Sequence, residues 1–346
     1  MKAVLLHEFG GINTLQYEEF SIPEPDENEI LIKVQAVALN HLDLFVRQGI
    51  PGLKLEMPHI LGSDISGTIE GGKGVEKAGL QVGQKIVVDP GLSCGVCEFC
   101  CSGEISLCHK YAIIGEHTRG GYAEYVTVPT ENVIPIPEKA TLSMVEAAAT
   151  PLTFLTAWRM LMTRARLNLG EDVLITGIGG GVALAALQIA KLMGSRTFVT
   201  SSSNEKLERA KELGADYGLN YLENPDYQKD VWRYTNKRGV DVVVDSAGQA
   251  TFEKSLRTLR KGGRFVTCGA TTGPMAKLNM NLLFWRQFDI LGSTMGTHNE
   301  LREVLKFVWK GRLKPVVHKT LPLSKVQTAH QILEEGTHFG KIVLVP

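Results

Sequence analysis

Five of the six cysteines in this 346-residue chain lie between Cys94 and Cys108. Four of them have the spacing C-x2-C-x2-C-x7-C: Cys94, Cys97, Cys100 and Cys108. Four thiolates from one loop form a closed tetrahedral zinc site, which has no open position for substrate and is therefore structural. Cys101 could replace Cys100 through a shift of register, although we expect it to take no part. The alternatives are free or redox-active thiols and an iron–sulfur cluster.

A glycine-rich segment, ITGIGGGVALAALQIAK, follows a predicted strand and opens a predicted helix. Glycines there allow a tight turn and let backbone N–H groups approach a pyrophosphate at the helix N-terminus. The segment is not a clean G-x-G-x-x-G, so the prediction depends on its context of strand, loop, helix and second strand. The residues predicted to bind a dinucleotide are Gly177, Gly179, Gly180, Gly181 and Val182. The alternative is a glycine-rich turn that binds no ligand.

The end of the second strand indicates which dinucleotide is bound. An Asp or Glu there would bind the ribose 2′-hydroxyl of NAD, but this chain has Thr-Ser-Ser-Ser-Asn. Ser201, Ser202 and Lys206 suit a 2′-phosphate, which favours NADP(H) over NAD(H). The alternative is that the serines, Ser203 above all, cap the next helix while Lys206 is solvated. Both interpretations can hold together.

Residues 1–140 are predicted to be rich in β-strands, beginning with a strand at the N-terminus. Short apolar or alternating runs, separated by Gly, Pro, Asp and Asn, predict further strands at 29–39, 66–72, 84–90 and 122–129. Pro135 and Pro137 argue against a central strand in the segment that follows.

Helical composition begins near residue 141. Ser143 followed by Glu146 predicts a capping box, and Pro151 should break this helix or start a second one. Apolar strands and helices then alternate, which indicates βαβ units and a parallel sheet. One of these helices is predicted over FEKSLRTLRKGG, before the strand RFVTCGA.

We therefore predict an α/β fold with two domains. A dinucleotide-binding domain of doubly wound parallel sheet, 141–299, interrupts a β-rich domain formed by 1–140 and 300–346. The second domain carries the zinc lobe at about 90–110.

Composition excludes several classes of protein. Lys+Arg and Asp+Glu are both 37, so net charge gives no general attraction to nucleic acid or to an anionic membrane. No apolar run approaches the ~18 residues of a membrane span, and the N-terminal run is too short for a signal peptide. We expect a cytoplasmic protein whose partner is a small-molecule substrate.

The chain resembles the medium-chain dehydrogenase/reductase superfamily, in the group of zinc alcohol dehydrogenases and quinone oxidoreductases. Besides the cysteines and the glycine loop, the segments that carry the resemblance are ALNHLDL (38–44), HILGSDISGTI (59–69), GGYAEYV (120–126), LTAW (155–158), ERAKELGAD (208–216), VVDSAG (243–248) and GKIVLV (340–345). The resemblance implies a GroES-like catalytic domain built from both chain ends, a Rossmann domain between them, and a cleft where they meet. It also implies a homodimer or homotetramer that pairs through Rossmann sheets near 282–294.

One departure from the family concerns its catalytic zinc. The family's Cys position falls on Asn40, its His-Glu pair on Ser63-Asp64, and its third ligand near Leu152. Asn and Leu cannot supply the thiolate or imidazole donors of such a site. The resemblance therefore implies one structural zinc and no catalytic zinc.

The same resemblance assigns roles in the cleft. Asn40 and His41 would donate hydrogen bonds, or a proton from His41, to an enolate or phenolate oxygen, and Asp43 and Asp64 would line or support the site. Further coenzyme contacts are assigned to Thr156 beside the nicotinamide, Tyr221, Ala247, Gly269, Ala270, and Lys341 at the phosphates.

Each role has a structural alternative. Asn40 could form hydrogen bonds with backbone groups of its loop, and Asp43 could cap a helix. His41 could face solvent, and Lys341 could be solvated at a strand edge. His59 and His117 are expected to make structural hydrogen bonds.

These residues predict an NADPH-dependent oxidoreductase that reduces quinones or α,β-unsaturated carbonyls without a catalytic zinc. The first alternative is an alcohol dehydrogenase with an unusual zinc ligand set drawn from Asp64, His59 or His117. The second is an RNA-binding role, known for some zinc-free relatives, which the absence of net charge and of a basic–aromatic stripe disfavours.

Overall fold

The computed structural model describes all 346 residues, which divide into two compact units. Unit 1 comprises Met1–Leu152 and Gly296–Pro346, and unit 2 comprises Thr153–Met295. The sequence places these divisions at 140 and 300 instead.

Strands and helices are numbered along the chain. The strands are β1 (Lys2–Leu6), β2 (Leu15–Glu19), β3 (Glu29–Ala38), β4 (Asp64–Gly71), β5 (Lys85–Val88), β6 (Gly91–Leu92), β7 (Ala112–Ile113), β8 (Tyr125–Pro129), β9 (Val133–Pro135), β10 (Asp172–Ile175), β11 (Arg196–Ser201), β12 (Tyr217–Asn220), β13 (Val240–Asp245), β14 (Leu259–Thr267), β15 (Asp289–Gly292), β16 (Val317–Pro322) and β17 (Lys341–Val345). The helices are α1 (His41–Gln48), α2 (Gly74–Lys77), α3 (Glu98–Cys101), α4 (Met144–Ala148), α5 (Pro151–Trp158), α6 (Gly181–Leu192), α7 (Asn204–Glu212), α8 (Tyr227–Tyr234), α9 (Phe252–Thr258), α10 (Met280–Arg286), α11 (His298–Trp309) and α12 (Val326–Glu335). None of these helices combines the length and the apolar character needed to cross a bilayer.

Unit 1 is built on a seven-stranded sheet of order β16-β17-β3-β4-β5-β9, with β8 also paired to β3. In β3, Ile30, Ile32 and Val34 are buried at a period of two, as a half-covered strand requires. After a register shift near Ala36 consecutive residues are buried, so this end of β3 is covered on both faces. The edge position of β9 explains how Pro135 is tolerated in a strand.

Unit 2 contains a six-stranded parallel sheet of order β12-β11-β10-β13-β14-β15, which confirms the predicted βαβ units. The strand order reverses at β10, as in doubly wound dinucleotide-binding folds. The helix predicted over FEKSLRTLRKGG ends early, at Thr258. Leu259 adopts an extended backbone and pairs with Val240, so the strand takes over the last residues of the helical pattern.

The predicted helix start at Ser143 is confirmed. The Ser143 hydroxyl accepts from the Glu146 backbone N–H, and the Glu146 carboxylate accepts from the Ser143 N–H. Of the two outcomes expected at Pro151, the second is confirmed: Pro151 is the first residue of a new helix, α5.

Candidate active site and metal centre

Three adjacent strands of unit 1 bring Lys341, Asn40 and Asp64 together. Strands β17 and β4 flank β3, and Ala38 of β3 pairs with Val343 on one side and with Asp64 on the other. Lys341 lies two residues before Val343 in the antiparallel partner, so it lies opposite Asn40, two residues after Ala38. Sheet register therefore assembles a group of residues that are distant in the chain.

The three side chains form a closed hydrogen-bonded set, which we call the Lys341 cluster. Lys341 is 5% exposed, and its ammonium donates to Asn40 Oδ1 at 2.5 Å and to Asp64 Oδ2 at 2.9 Å. Asn40 Nδ2 donates to the same Asp64 oxygen at 3.0 Å, while Asp64 Oδ1 accepts from the Leu152 backbone N–H at 2.7 Å. A buried carboxylate is tolerable here because an ammonium and two N–H groups compensate its charge.

Of the two expectations for Lys341, the solvated side chain is wrong, because the ammonium lies inside unit 1 and two of its N–H groups are already used. A contact with coenzyme phosphates stays a prediction. An ammonium removed from water needs a counter-charge, which Asp64 supplies. No local sequence pattern predicts the pairing of Lys341 with Asp64, because it depends on the register of β17, β3 and β4.

Asp43 supports the backbone beside this cluster, as one expectation for it held, while its role in the catalytic group stays a prediction. It is 1% exposed, and its two oxygens accept from the backbone N–H groups of Asn40 at 2.7 Å and Gly62 at 3.1 Å. Burial raises the pKa of this carboxyl to about 6, against the opposing effect of the two N–H groups and of the Lys341 charge. Asp43 thus ties the start of α1 to the loop before β4.

His41 begins α1 and is partly buried. Burial, and secondly the charge of Lys341, lower its pKa below the usual 6.5. The imidazole is therefore neutral at pH 7, a state that can donate one hydrogen bond but does not carry a spare proton.

Several hydrogen-bond donors remain available in the cluster and at Ser63, the residue next to Asp64 in the chain. Asn40 uses one of its two amide N–H groups, and Lys341 uses two of its three. The hydroxyl of Ser63 is buried and has no hydrogen-bond partner within the chain. Sequence reasoning did not select Ser63 as a site residue, although its place beside Asp64 in HILGSDISG was an available signal.

The alternative zinc ligands do not converge. His59 Nε2 lies 3.2 Å from the Gly115 carbonyl, and His117 Nδ1 accepts from the Ile113 backbone N–H at 3.1 Å. Both histidines have the structural contacts expected of them.

The four predicted cysteines do converge, and they are the only group of three or more His, Cys, Asp or Glu donors in the chain that does so. All four sulfurs lie within 4.8 Å of one another, and the Cys97–Cys100 and Cys94–Cys100 pairs are 3.5 and 3.9 Å apart. A tetrahedron of Zn–S bonds of about 2.3 Å places its sulfurs about 3.8 Å apart, so this cluster fits zinc.

The lobe around the cysteines is closed by the pairing of β6 with β7. The Cys100 backbone N–H helps lower the pKa of the Cys97 thiol to about 6, which favours the thiolate that a metal requires. Cys101 is exposed and bonds to the Val96 carbonyl, so it stands outside the group as expected.

In unit 2 the glycine loop joins β10 to α6. Gly177 and Gly179 have φ of 66° and 123°, a region that disfavours residues with a side chain. Gly180 is the N-cap of α6, and Gly181 and Val182 form its first turn. The N-terminus of a twelve-residue helix follows the loop directly, an arrangement that suits an anionic pyrophosphate.

Apart from Thr156 and from Lys206 in α7, the other predicted coenzyme residues of unit 2 lie at or after the carboxyl ends of parallel strands. Such folds bind nucleotides at this edge of the sheet. These residues are Ser201 and Ser202 at the end of β11, Tyr221 after β12, Ala247 after β13, and Gly269 and Ala270 after β14. Thr156 differs, because it is buried in α5 and its hydroxyl donates to the Met295 sulfur at 3.8 Å.

The serines at and after the end of β11 were expected either to cap α7 or to contact a coenzyme phosphate, and their positions allow both. The Ser201 hydroxyl is buried and accepts from the Ser203 N–H, and Ser203 caps α7 by accepting from the Lys206 N–H. Ser202 is exposed, and Lys206 is partly buried, which lowers the pKa of its ammonium.

Comparison with known proteins agrees with both units. Residues 26–138 match the alcohol dehydrogenase GroES-like domain family, and residues 181–310 match the zinc-binding dehydrogenase family. The chain is 33% identical to an NAD-dependent alcohol dehydrogenase of Sulfolobus acidocaldarius and 30% identical to an acryloyl-coenzyme A reductase of Metallosphaera sedula, over 99% of each chain in both cases. A crystal structure of an NAD-dependent alcohol dehydrogenase matches with a TM-score of 0.95 at 46% identity, covering 100% of both chains.

The chain belongs to the medium-chain dehydrogenase/reductase superfamily and is an oxidoreductase. Its GroES-like and Rossmann architecture is confirmed. A nicotinamide coenzyme and a structural zinc at the four cysteines agree with the family and with the donor geometry.

Proposed function

We propose that this enzyme reduces α,β-unsaturated carbonyl compounds or quinones without a catalytic zinc. The Lys341 cluster is the observation that carries the proposal. Where the family holds a metal, the ammonium of Lys341 lies 2.9 Å from the Asp64 carboxylate, and both carboxylate oxygens are already bonded. A divalent cation bound to Asp64 would have to displace this ammonium.

The chemistry of the substrate makes a metal unnecessary. The nicotinamide supplies a hydride, and hydride addition to an enone or quinone places charge on an enolate or phenolate oxygen. Such an oxygen is far less basic than an alkoxide, so hydrogen-bond donors can stabilise it. The free N–H of Asn40, neutral His41 and the Ser63 hydroxyl are the donors that we assign to this oxygen.

Relatives support one class of substrate in particular. The name of the acryloyl-coenzyme A reductase at 30% identity favours an unsaturated acyl thioester within the proposed group. The alternative, a zinc-dependent alcohol dehydrogenase, draws on the names of the relatives at 33% and 46% identity.

A substrate screen separates these functions. Purified enzyme is assayed with acryloyl-CoA, crotonyl-CoA, enals and quinones, and with simple alcohols in the oxidative direction, while zinc per chain is measured. We expect reduction of activated double bonds or quinones at one zinc per chain. Oxidation of simple alcohols that requires a second zinc would replace the proposal with its alternative.

We further propose a preference for NADPH over NADH. None of the three residues directly after β11 is a carboxylate, and the exposed Ser202 hydroxyl and the Lys206 ammonium suit a 2′-phosphate. The printed names of the relatives point instead to NAD. Lys206→Met should lower kcat/KM for NADPH about tenfold and leave NADH unchanged. Equal kcat/KM values of the unmodified enzyme for NADPH and NADH would contradict the proposed preference.

A homodimer or homotetramer is proposed from the exposed edge of the unit 2 sheet. Strand β15 is the edge strand, and beside it Phe284 and Trp285 are 63% and 72% exposed. Unpaired edges and large apolar side chains favour association. Light scattering coupled to size-exclusion chromatography measures the mass, and a monomer would contradict the proposal.

A further inference from the structure

A cavity of about 840 Å³ opens on unit 2 among the ends of α8, α9 and α10. A volume of this size suits a ligand of a few hundred daltons. We call it the basic cavity, since five of its lining side chains are cationic: Lys229, Arg233, Lys237, Arg257 and Arg286.

The basic cavity is remote from the coenzyme loop. Helix α8 ends before β13, α9 before β14 and α10 before β15, so the lining residues at or after these ends lie towards the amino ends of these strands. They are Arg233, Asn236, Lys237, Arg257 and Arg286, whereas Gln228 and Lys229 lie in the first turn of α8. The glycine loop follows the carboxyl end of β10, at the opposite edge of the same parallel sheet. Most of the cavity therefore lies away from the glycine loop, and two of its lining residues, Leu282 and Arg286, belong to the segment 282–294 expected to pair copies of the chain.

Its positive charge is only partly compensated. Lys229, Arg233 and Arg257 pair with Asp226, Asp230 and Glu253 respectively, and all three cations are more than half exposed. Exposed pairs of this kind contribute little, so these cations remain able to bind an anion. Lys237 and Arg286 form no ion pair at all. A chain with zero net charge thus concentrates positive charge at one cavity.

The cavity also has an apolar wall and unused polar atoms. Trp232 is fixed by a hydrogen bond from its Nε1 to the Arg257 carbonyl at 2.9 Å, and the Arg286 guanidinium lies 5.3 Å from its ring centre. Leu282 adds apolar surface. Gln228 Oε1 and Arg286 Nε are buried atoms without a hydrogen-bond partner, and both residues line the cavity.

Backbone geometry is unusual at the same place. Asn236 and Lys237 line the cavity and have φ of 51° and 64°, and Gln287, next to Arg286, has 54°. Side-chain-bearing residues rarely adopt this left-handed conformation, and consecutive cases are costly. Asn236 and Lys237 follow the C-cap of α8, and Gln287 is the C-cap of α10, so these conformations end the two helices beside the cavity.

We propose that the basic cavity binds a nucleotide, with phosphates on the cationic rim and the planar base against the apolar wall of Trp232 and Leu282. The combination of two unpaired and three exposed, ion-paired cations with an aromatic and aliphatic surface fits a phosphorylated ring compound better than a simple anion or an apolar molecule. Arg286 Nε and Gln228 Oε1 supply the donor and acceptor that such a ligand would satisfy.

Calorimetry with ATP tests the proposal. Saturating NADPH and NADH are first added together, so that the coenzyme site is filled whichever coenzyme the enzyme prefers, and ATP is then titrated. We expect one ATP per chain, about tenfold weaker binding in the double variant Arg233→Gln/Lys237→Gln, and unchanged binding in Lys211→Gln. Lys211 is the matched control, because it is an exposed helical lysine of unit 2 paired at i,i+3 with Glu208, as Lys229 is with Asp226.

Other ligands decide what is recognised. Equal affinity for inorganic tripolyphosphate would overturn the role of the ring, and a single-stranded oligonucleotide that binds far more tightly than ATP would replace the small ligand with nucleic acid. Absence of ATP binding at millimolar concentration, or binding that the double variant leaves unchanged, would overturn the site itself. Because reductase activity is measured separately, neither result depends on the proposed function.

Discussion

The cysteine lobe and the Lys341 cluster both lie in unit 1, but they control charge by opposite means. The lobe gathers four thiol donors on one short loop, with only Cys108 buried, and its negative charge calls for a metal cation. The cluster gathers a cation, a carboxylate and an amide from three distant segments, all buried, and compensates its own charge. The first arrangement calls for an ion from outside, whereas the second is neutralised within the chain.

The lobe fits a metal that only holds the loop together, since four protein ligands leave no open position. The proposed function assigns the opposite role to the Lys341 cluster, which would use N–H donors where a zinc alcohol dehydrogenase uses a metal.

Loss of a cysteine ligand should have the largest effect. Structural zinc contributes about 10–16 kcal/mol to small peptides whose folding depends on it, so Cys97→Ser should release the zinc and strongly lower the unfolding temperature. Metal analysis and thermal unfolding measure the two effects.

Cys101→Ser is the matched control for the lobe. Cys101 lies beside Cys100 but outside the cluster, so its variant should retain one zinc per chain and the original unfolding temperature. If Cys101→Ser loses zinc and Cys97→Ser does not, the ligand assignment is wrong.

Breaking the Lys341 cluster should have the next largest effect. Lys341→Met leaves the Asp64 carboxylate buried without its counter-charge, which should lower the free energy of unfolding by about 3–5 kcal/mol. Urea denaturation measures the loss.

The double variant Lys341→Met/Asp64→Asn should regain much of that stability, because it removes the uncompensated charge. A single variant that costs less than about 1 kcal/mol would mean that the pair contributes no more than an exposed salt bridge.

The two regions also differ in how far the sequence predicts them. The cysteine lobe, the glycine loop and the capping box at Ser143 are local patterns, so a short window of sequence contains all the information. The Lys341 cluster depends on the pairing of Ala38 with both Val343 and Asp64, which no local pattern encodes. The early end of α9 has the same cause, because the pairing of Leu259 with Val240 overrides a helical pattern.

Asp43 offers a smaller, pH-dependent test of the scaffold under the cluster. Its pKa rises from 3.8 to about 6 on folding, so the folded state binds its proton more tightly. The contribution of the protonated carboxyl to stability is complete below pH 3.8 and is lost as pH rises through about 6. The difference in free energy of unfolding between the original protein and Asp43→Asn should therefore fall across this range, as urea denaturation at several pH values measures. A difference that is constant with pH would mean that the carboxyl is not perturbed.

Ser63 should give the smallest change in stability and the clearest change in activity. Its buried hydroxyl has no partner in the chain, so Ser63→Ala should alter the free energy of unfolding by less than about 0.5 kcal/mol. If the hydroxyl donates to the substrate oxygen, kcat/KM should fall about tenfold, the loss of roughly one hydrogen bond.

Ser66→Ala is the matched control, since the buried Ser66 hydroxyl donates to the Met144 carbonyl at 2.6 Å. Ser66→Ala should lower stability and leave kcat/KM unchanged. If Ser63→Ala behaves in that way instead, Ser63 has a structural role, and Asn40 and His41 remain as the donors to the substrate.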